Sequence, residues 1–314
     1  MLAGLVAPAA AREPPPPGSE LQLFVENDKW AHTDRYYTNG IKFGIGKPLE
    51  VLETPLAELL RGLDRDGGED VHVGLFLGQN MYTPRDISIA AAQPNDRPWA
   101  AWLYLGAVAQ RARGNLLNTL EIDVGVVGPA ALGEQVQDGW HRLIGTGRPK
   151  GWDNQGPSEP AFMASFLHKQ KYGNGNADIV AHAGASLGTV MTNARVGALL
   201  RLGQGLTGFG PDTIEPGGAM LQATRARQGR EWYVFAGVDH RAVARNIFLD
   251  GPAFHDGPSV ERRDHVFDTS LGFSFRHNGL RFSWTRIRRS EEFRTAAGGG
   301  GVQRFDSLNL GYEF

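Results

Sequence analysis

The chain has 314 residues, and its 32 Lys and Arg residues nearly balance its 34 Asp and Glu residues, for a formal net charge of −2. This balance excludes a protein that binds a polyanion through bulk positive charge, so we expect no nucleic-acid partner. Cysteine is absent, which excludes disulfide scaffolds, thiolate zinc sites and cysteine nucleophiles. No stretch approaches the roughly 18 apolar residues of a transmembrane helix. A membrane β-barrel stays compatible, because its strands alternate and never look hydrophobic overall.

The N-terminal segment differs in composition from the rest of the chain. Residues 1–11 are apolar and end in small residues, as in the second half of a secretory signal with its cleavage site. Pro14–Pro17 then form a stiff spacer that cannot enter a helix or the interior of a sheet. We therefore predict a signal-peptide remnant and Pro-rich spacer over 1–19, and one barrel domain over 20–314. A disordered apolar tail is the alternative for the first residues.

Period-two alternation and turn residues predict about twelve strands. Their spans are 20–27, 37–47, 71–81, 98–112, 115–127, 158–170, 177–190, 194–204, 230–242, 266–277, 279–290 and 302–314. Asn/Gly-containing turns at 113–115, 172–175 and 277–279 supply the positive φ that tight hairpins require. These features predict an all-β fold, a twelve-stranded antiparallel transmembrane β-barrel with a short α-helix in an extracellular loop.

An even number of strands places both termini on one side of the membrane. If that side is periplasmic, the connections 28–36, 82–97, 128–157, 191–193, 243–265 and 291–301 are extracellular. Two periplasmic connections, 48–70 and 205–229, are longer than the short turns expected there. The last strand alternates apolar residues and ends in Phe314, which resembles the assembly signal of bacterial outer-membrane barrels. We therefore expect the outer membrane as location and the barrel-assembly machinery as a partner during biogenesis.

One amphipathic helix is predicted over about 131–145. Leu132, Val136, Trp140 and Leu143 form an apolar stripe at helical spacing, whereas His141 belongs to the opposite, polar face with Glu134 and Gln137. Because a helix this short is marginal alone, we expect it to pack on the rim of the barrel.

Two motifs resemble those of soluble enzymes, but their context does not fit. The segment 184–188 matches the nucleophile-elbow pattern G-x-S-x-G, which requires a strand, a sharp turn and a helix, and here continues as a strand. The segment 203–208 matches G-x-G-x-x-G, yet no helix follows and Pro211 and Pro216 oppose one. We interpret the first as glycines of a barrel strand, and the second as a match that gives no support to a dinucleotide-binding fold.

Polar clusters at one rim form the best candidate for chemistry. The first strand ends in Glu26–Asp28 and the second begins with Tyr36–Gly40, and a short connection places them side by side. Asp28, Asn27, Thr38 and Asn39 are hard oxygen ligands that suit calcium better than zinc. A neutral histidine on the nearby helix, His141, could accept a proton from attacking water. The alternative is a set of ordinary turn residues and a solvated histidine.

The sequence resembles a known family, the outer-membrane lipid A 3′-O-deacylases. The similarity lies in Phe24–Asp28, in Asp34–Gly40, and in a central stretch with Gly128–Pro129, Gln135–Gln137, His141, Gly151–Gln155 and Glu159–Pro160. The resemblance implies a twelve-stranded, calcium-dependent barrel that removes a 3′-linked acyloxyacyl group from lipid A.

The resemblance also implies the site residues. It puts Asn27, Asp28, Thr38 and His141 at the active-site positions, with His141 as the base that activates water and calcium near Asp28 and Thr38. Asn39 and Glu159 would be supporting, substrate-binding residues.

Arginines at the outer rim suggest how a phosphorylated lipid could bind. Arg286 and Arg288 lie at the outer end of the eleventh predicted strand, and a guanidinium group bonds two phosphate oxygens at once. We therefore predict that they help to bind lipid A, or lipopolysaccharide; ordinary solvated loop charges are the alternative. The competing function is a non-enzymatic barrel that serves as a narrow pore, an adhesin or a structural protein.

Overall fold

The structure is a computed structural model that describes residues 18–31, 35–48, 70–215 and 230–314. Its strands in chain order are β1 (Glu20–Asn27), β2 (Tyr36–Pro48), β3 (Asp70–Thr83), β4 (Ala100–Arg113), β5 (Leu116–Val127), β6 (Glu159–Asn174), β7 (Ala177–Gly188), β8 (Met191–Gln204), β9 (Arg230–Asn246), β10 (Glu261–Arg262), β11 (His265–His277), β12 (Leu280–Arg289), β13 (Phe293–Thr295), β14 (Gly298–Gly299) and β15 (Gln303–Glu313). Its α-helices are α1 (Gly133–Leu143) and α2 (Ile247–Asp250). Several predicted features lie outside the described residues. They are residues 1–17 of the leader predicted over 1–19, Asp34, and most of the connections 48–70 and 205–229.

Twelve of these strands close into one antiparallel barrel, which confirms the predicted fold. Each barrel strand pairs with its neighbours along the chain, and β1 pairs with β15 from Glu20↔Glu313 to Asn27↔Asp306 to close the ring. The strands β10, β13 and β14 form a separate small sheet. The turn at Asn278-Gly279 has φ values of 49° and 81°, as the hairpin signal predicted. No helix in the described part of the chain is long and apolar enough to cross a membrane.

Both termini of the barrel lie at one end, which we name the terminal end, and the long connections 28–35, 84–99, 128–158, 247–264 and 290–302 lie at the other, the loop end. Between the two ends, most strands alternate between a buried inner face and an exposed outer face, as β2 and β12 show. The exposed outer residues are mostly large and apolar; among them are Ile41, Phe43, Ile45, Leu75, Leu77, Leu105, Ile122, Val124, Phe162, Phe166, Leu271 and Phe273. Such an apolar outer band is what a barrel needs in order to lie in lipid.

Charged and aromatic side chains fill the lumen. Lys42 on β2 makes a 2.6 Å ion pair with Glu121 on β5, across the barrel, and its ammonium lies 3.7 Å from the centre of the Phe76 ring. On the other wall, both carboxylate oxygens of Asp178 accept hydrogen bonds from Arg201. Paired charges of this kind tolerate burial, whereas single ones would not.

The chain after β8 turns back into the lumen. Lys169 on β6 makes an ion pair with Asp212, and the backbone N–H of Ile214 donates to the Glu26 carboxylate at 2.8 Å. Glu215 reaches Arg289 near the loop end at 2.8 Å. The connection predicted over 205–229 therefore runs, over residues 205–215, inside the lumen of the barrel. A cavity of about 110 Å³ remains beside this segment, inside the barrel.

The G-x-S-x-G segment lies in β7 and the G-x-G-x-x-G segment leads out of β8 into this inward turn. Ser186 shares a 2.8 Å hydrogen bond with Ser165 inside the barrel. The interpretation of 184–188 as part of a barrel strand is confirmed, and no helix follows Gly203 over the described residues up to 215.

An arginine at the loop end of the lumen holds several carboxylates together. Arg289 is fully buried and bonds Asp268 on β11 and Glu215 of the inward segment, while Glu292 lies 3.6 Å away. Burial alone would raise the pKa of Glu292, but the guanidinium groups of Arg97 and Arg289 outweigh it and lower that pKa to about 2. This carboxylate therefore stays ionised at any physiological pH.

We predict that Arg289→Met destabilises the barrel by about 3–5 kcal/mol, because it leaves buried carboxylates without their cation. The neighbouring Arg288→Met is the matched control, since Arg288 is exposed on the outer face. The measurement is the temperature at which the barrel loses its folded mobility on an unheated SDS gel. Equal transition temperatures for the two variants would contradict this role of Arg289.

Candidate active site

Polar residues interrupt the apolar outer face at the loop end of β1 and β2. By alternation, Asn27 follows Val25 on the outer face of β1, and Asn39 precedes the exposed Ile41 on the outer face of β2. The two asparagines lie directly opposite each other in the register. The predicted polar cluster is therefore on the outside of the barrel wall, immediately above the apolar band, and not inside the lumen.

A β-bulge adds two threonines to this cluster. The register between β2 and β3 shifts between Tyr37 and Asn39, which leaves Thr38 as the extra residue. Its hydroxyl lies 2.7 Å from that of Thr83, at the end of β3. Both threonines are buried, so the bulge redirects the Thr38 side chain towards the outer face of the neighbouring strand.

Asp28 is held in place at the turn between the two strands. Its backbone N–H donates to the Thr38 carbonyl at 3.3 Å, and its Oδ2 accepts from the backbone N–H of Arg35 at 2.6 Å. The residue is buried. These bonds join the Asp28 backbone to the Thr38 backbone and fix the orientation of the carboxylate at the turn.

The two asparagine amides are oriented by bonds to the backbone. The Oδ1 of Asn27 accepts from the backbone N–H of Lys29 at 2.9 Å, and the Nδ2 of Asn39 donates to the Glu26 carbonyl at 3.1 Å. The Asn27 side chain therefore has its NH₂ group to offer as a donor, and Asn39 has its carbonyl oxygen to offer as an acceptor.

The connection between β5 and β6 folds back over the outer face of β3 and β4. Gln79, which has the same parity as the exposed Leu75 and Leu77, donates to the Ala131 carbonyl at 2.6 Å. Met81, Trp99, Ala101, Ala131 and Trp152 form a buried cluster beneath the connection. The start of α1 touches the wall so closely that a Cβ on Gly133 would lie 2.6 Å from the Cβ of Ala101. Outer-face positions that would otherwise meet lipid are thus covered by the chain itself.

The helix packs on the barrel through its polar face. The buried residues of α1 are Gly133, Gln137 and His141, and Gln137 accepts a 2.8 Å hydrogen bond from the Trp152 indole. Leu143, in the apolar stripe, is 77% exposed, whereas His141 is 3% exposed. The predicted helix is confirmed, and it packs on the wall near the rim. The face that contacts the wall is the polar one, which carries His141.

The His141 ring has a defined tautomer in this arrangement. Its Nδ1 lies 2.5 Å from the Gly147 carbonyl oxygen. A carbonyl oxygen can only accept, so Nδ1 must carry the hydrogen of this bond. In the neutral imidazole the basic nitrogen is then Nε2.

A hydrogen bond between distant segments joins the helix to the β1–β2 turn. The Lys29 ammonium, one residue after Asp28, donates to the Thr146 hydroxyl at 3.1 Å, and the Thr146 N–H donates to the His141 carbonyl at 3.0 Å. The structure thereby brings together, at one corner of the outer wall, Asn27, Asp28, Thr38 and Asn39 with the end of the helix that carries His141.

Glu159 has a different place. By alternation it faces inwards at the start of β6, and its carboxylate accepts hydrogen bonds from the backbone N–H groups of Ala253 and Phe254 and contacts the His255 ring at 3.1 Å. The structure therefore shows Glu159 holding the connection after α2, and does not bring it beside Asp28.

The predicted arginines lie on the outer face, on the other side of β1. Arg286 makes two 2.8 Å bonds to Asp306 and a 3.3 Å bond to the Trp30 carbonyl in the β1–β2 turn. Arg288 is exposed and directly opposite Arg304 in the register of β12 and β15. Arg286 thus carries a structural ion pair, whereas Arg288 places an exposed guanidinium group on the outer wall.

Several residues of this corner were not predicted from the sequence. Gln79 and Thr83 could have been predicted. They are an even number of residues from Leu75 and Leu77 on β3 and so share their outer face, where a lipid-facing strand should be apolar. Lys29 and Thr146 carried no signal, since their contact joins segments separated by 117 residues.

The donor set suits a hard cation. The Asp28 carboxylate, the Thr38 oxygens and the Asn39 amide oxygen are oxygen ligands of the kind calcium binds. No group of three or more His, Asp or Glu side chains that could hold a metal occurs among the described residues. A cation at this corner would therefore depend on one carboxylate and neutral oxygens, a set with little affinity for zinc.

The apolar outer band, the closed twelve-stranded wall and the outward-facing polar corner together define an outer-membrane β-barrel protein. The family model "Outer membrane protein LpxR" matches residues 1–314, and the chain belongs to that family. The structure is similar to that of LpxR from Salmonella typhimurium, with a TM-score of 0.75 and 21% sequence identity over 94% of this chain and 100% of that one. A weaker likeness is to the β domain of the Bordetella autotransporter BrkA, with a TM-score of 0.46 and 11% identity over 96% of this chain and 100% of that one. None of the curated proteins compared with the chain matches it significantly.

We predict that Lys29→Met loosens the segment after α1, because it removes the bond that joins this segment to the β1–β2 turn. A net hydrogen-bond contribution of about 1 kcal/mol corresponds to roughly fivefold faster amide exchange in residues 144–148. Hydrogen exchange followed by mass spectrometry measures it. The control is Lys150→Met, an exposed lysine of the same segment. If both variants exchange like the parent, the Lys29–Thr146 bond does not hold the helix.

Proposed function

We propose that the protein is an ester hydrolase that removes the 3′-O-linked acyloxyacyl chain from lipid A in the outer leaflet of the outer membrane. The observation that supports this most is the position of the polar corner, on the outer wall directly above the lipid-facing band and beneath a histidine-bearing helix. A lipid ester reaches such a corner by lateral diffusion, whereas a soluble substrate would favour a site in the lumen. In this proposal the loop end is extracellular and the active site opens to the outer leaflet.

In the proposed reaction, His141 is the general base. Its Nε2 takes a proton from a water molecule whose oxygen attacks the ester carbonyl carbon. When the tetrahedral intermediate collapses, the bond between that carbon and the sugar oxygen breaks, and the same imidazole returns the proton to the sugar oxygen. The products are a carboxylic acid and lipid A with a free 3′ hydroxyl. The bond from Nδ1 to the Gly147 carbonyl supports this role, because it keeps Nε2 basic and orients the ring.

The groups of the β1–β2 turn would stabilise the negative charge on the ester oxygen. Asn27 has an amide NH₂ to donate, since its Oδ1 is already used by the Lys29 N–H. Asp28 and Thr38 would hold calcium, which would supply electrostatic stabilisation of the developing oxyanion. Asn39 would contribute its amide oxygen to the same set or to the substrate.

The arginines of the outer wall would bind the lipid A phosphates. Arg288 is exposed on the outer wall, and its guanidinium group can bond two phosphate oxygens at once. Arg286 is already paired with Asp306 and bonds the Trp30 carbonyl. It would therefore position the Trp30 backbone and not bind phosphate itself.

A pore is the less favoured alternative. The ion pairs Lys42–Glu121 and Arg201–Asp178, and the segment 205–215, occupy the lumen of the described barrel. We expect little ion conductance from such a barrel.

We predict that His141→Gln lowers the rate of lipid A deacylation by at least about 100-fold, because the general base is lost. Mass spectrometry of lipid A after incubation with the purified protein measures the loss of the acyloxyacyl mass. Excess EDTA should abolish the reaction and added calcium should restore it.

The control is His240→Gln, because His240 lies on the outer wall at β9, remote from the β1–β2 corner, where it stacks on Phe267. Both variants should keep the folded gel mobility of the parent. A His141→Gln protein that still removes the chain at the parental rate disproves the base assignment, and activity that persists in EDTA removes calcium from the proposal.

A further inference from the structure

The helix α1 exposes an apolar flank that its packing on the barrel leaves uncovered. Val136, Trp140 and Leu143 are 41%, 49% and 77% exposed, and Leu132 and Ile144 at the two ends of the helix are 46% and 43% exposed. A helix of this length usually buries such a stripe against its own protein. Here the buried positions are Gly133, Gln137 and His141 instead.

The helix therefore has three sectors. With 3.6 residues per turn, the apolar stripe is centred roughly 100° to one side of the buried sector that contains Gln137. The polar residues are centred at roughly the same angle on the other side of the buried sector. They are Glu134, Gln135, Asp138 and Arg142. A helix that lies along a wall, with one flank apolar and the opposite flank charged, separates two different solvents on its two free sides.

The neighbouring surface indicates which apolar medium is present. The helix packs on the outer face of β3 and β4, where Gly133 meets Ala101 and Gln79 bonds Ala131. That same outer face continues towards the terminal end as the exposed apolar band, with Leu105 63% exposed and Leu75 66% exposed. The helix is thus packed on the same face of the wall that bears the lipid-facing band, and its apolar flank is exposed beside that face.

The opposite flank has the chemistry of a headgroup region. Asp138 makes ion pairs with Arg142, one turn on, and with Arg148 after the helix. The guanidinium of Arg148 donates to the Asp138 carboxylate, which lowers the pKa of this carboxyl group. The two guanidinium groups stay exposed to solvent on the side away from the apolar stripe and cover Asp138, as in helices that lie in the plane of a membrane interface.

We propose that the apolar flank of α1 is a membrane-contact surface, and that Leu132, Val136, Trp140 and Leu143 lie among the acyl chains of the outer leaflet. The helix then acts as an interfacial anchor that keeps the segment 128–157 down on the barrel wall. This inference stands on exposure and packing, and holds whether or not the protein is a hydrolase.

The absence of cysteine in the parent chain allows a direct test. Leu143→Cys is labelled with the fluorophore NBD, and the protein is reconstituted into vesicles of phosphatidylcholine and phosphatidylglycerol. The matched control is Gln135→Cys, an exposed position on the polar flank of the same helix. Lipids with a nitroxide on the acyl chain quench probes within the bilayer, and iodide quenches probes in water.

The NBD group at position 143 should emit at shorter wavelength and be quenched several-fold more by the nitroxide lipid than the group at 135, with the reverse order for iodide. Val136→Cys should behave like Leu143→Cys, which covers the case in which one label disturbs folding. Equal iodide quenching at 143 and 135 would overturn the proposal. A second outcome would also overturn it: NBD emission at position 143 that shifts to the wavelength seen in water when the protein is diluted into excess lipid. Such a shift would mean that a second copy of the chain, and not lipid, covers the apolar flank.

Discussion

Strand alternation is the constraint on which the site depends. Every second residue of a barrel strand faces outwards, and in a membrane those positions should be apolar. On β1, β2 and β3 the alternation is kept up to the loop end, where Asn27, Asn39, Gln79 and Thr83 occupy outer positions. Polar groups next to hydrocarbon need partners, and the segment 128–157 provides a cover with hydrogen-bonding groups. The polar end of the outer wall is therefore covered by protein and not by lipid.

The lumen and the outer wall have separate tasks. Inside, Lys42 pairs with a carboxylate three strands away, Arg201 and Arg289 pair with carboxylates of neighbouring strands, and the segment 205–215 adds its own contacts. These pairs fix the shape of the wall and leave little open space. A rigid wall in turn positions the backbone of the β1–β2 turn, and with it Asp28 and Thr38, so the interior acts on the proposed chemistry only through the scaffold.

Much of the architecture was predictable from the sequence, because alternation and tight turns are local signals. The strands and the turns at Gly114, Gly175 and Asn278 follow from them. The neighbouring polar clusters on β1 and β2 were predictable for the same reason, since a short connection joins adjacent strands.

Two features were not predictable from local patterns. The apolar stripe from Leu132 to Leu143 indicated a helix. A stripe alone does not say whether it faces a protein core or another apolar medium, and in the structure the face with Gln137 and His141 is the buried one. Residues 205–215 look like an exposed connection, yet a barrel offers an interior surface that pairs Asp212 and Glu215 with cations. Contacts such as Lys29–Thr146 depend on the folded wall and have no local signature.

The most direct test of this account is whether α1 lies on the outer face of β4. In a chain without cysteine, Ala101→Cys combined with Gly133→Cys should form a disulfide after mild oxidation of the folded barrel. A Cβ on Gly133 would lie 2.6 Å from that of Ala101 and 2.6 Å from the Trp152 ring, so the start of the helix must move outwards by about 1 Å to reach the roughly 3.8 Å of a disulfide. The control pair Ala101→Cys with Gly139→Cys should not react, since nothing lies within 4 Å of a Cβ at Gly139. Two thiols that stay free at 101 and 133 in the folded protein would contradict the packing of the helix on the wall.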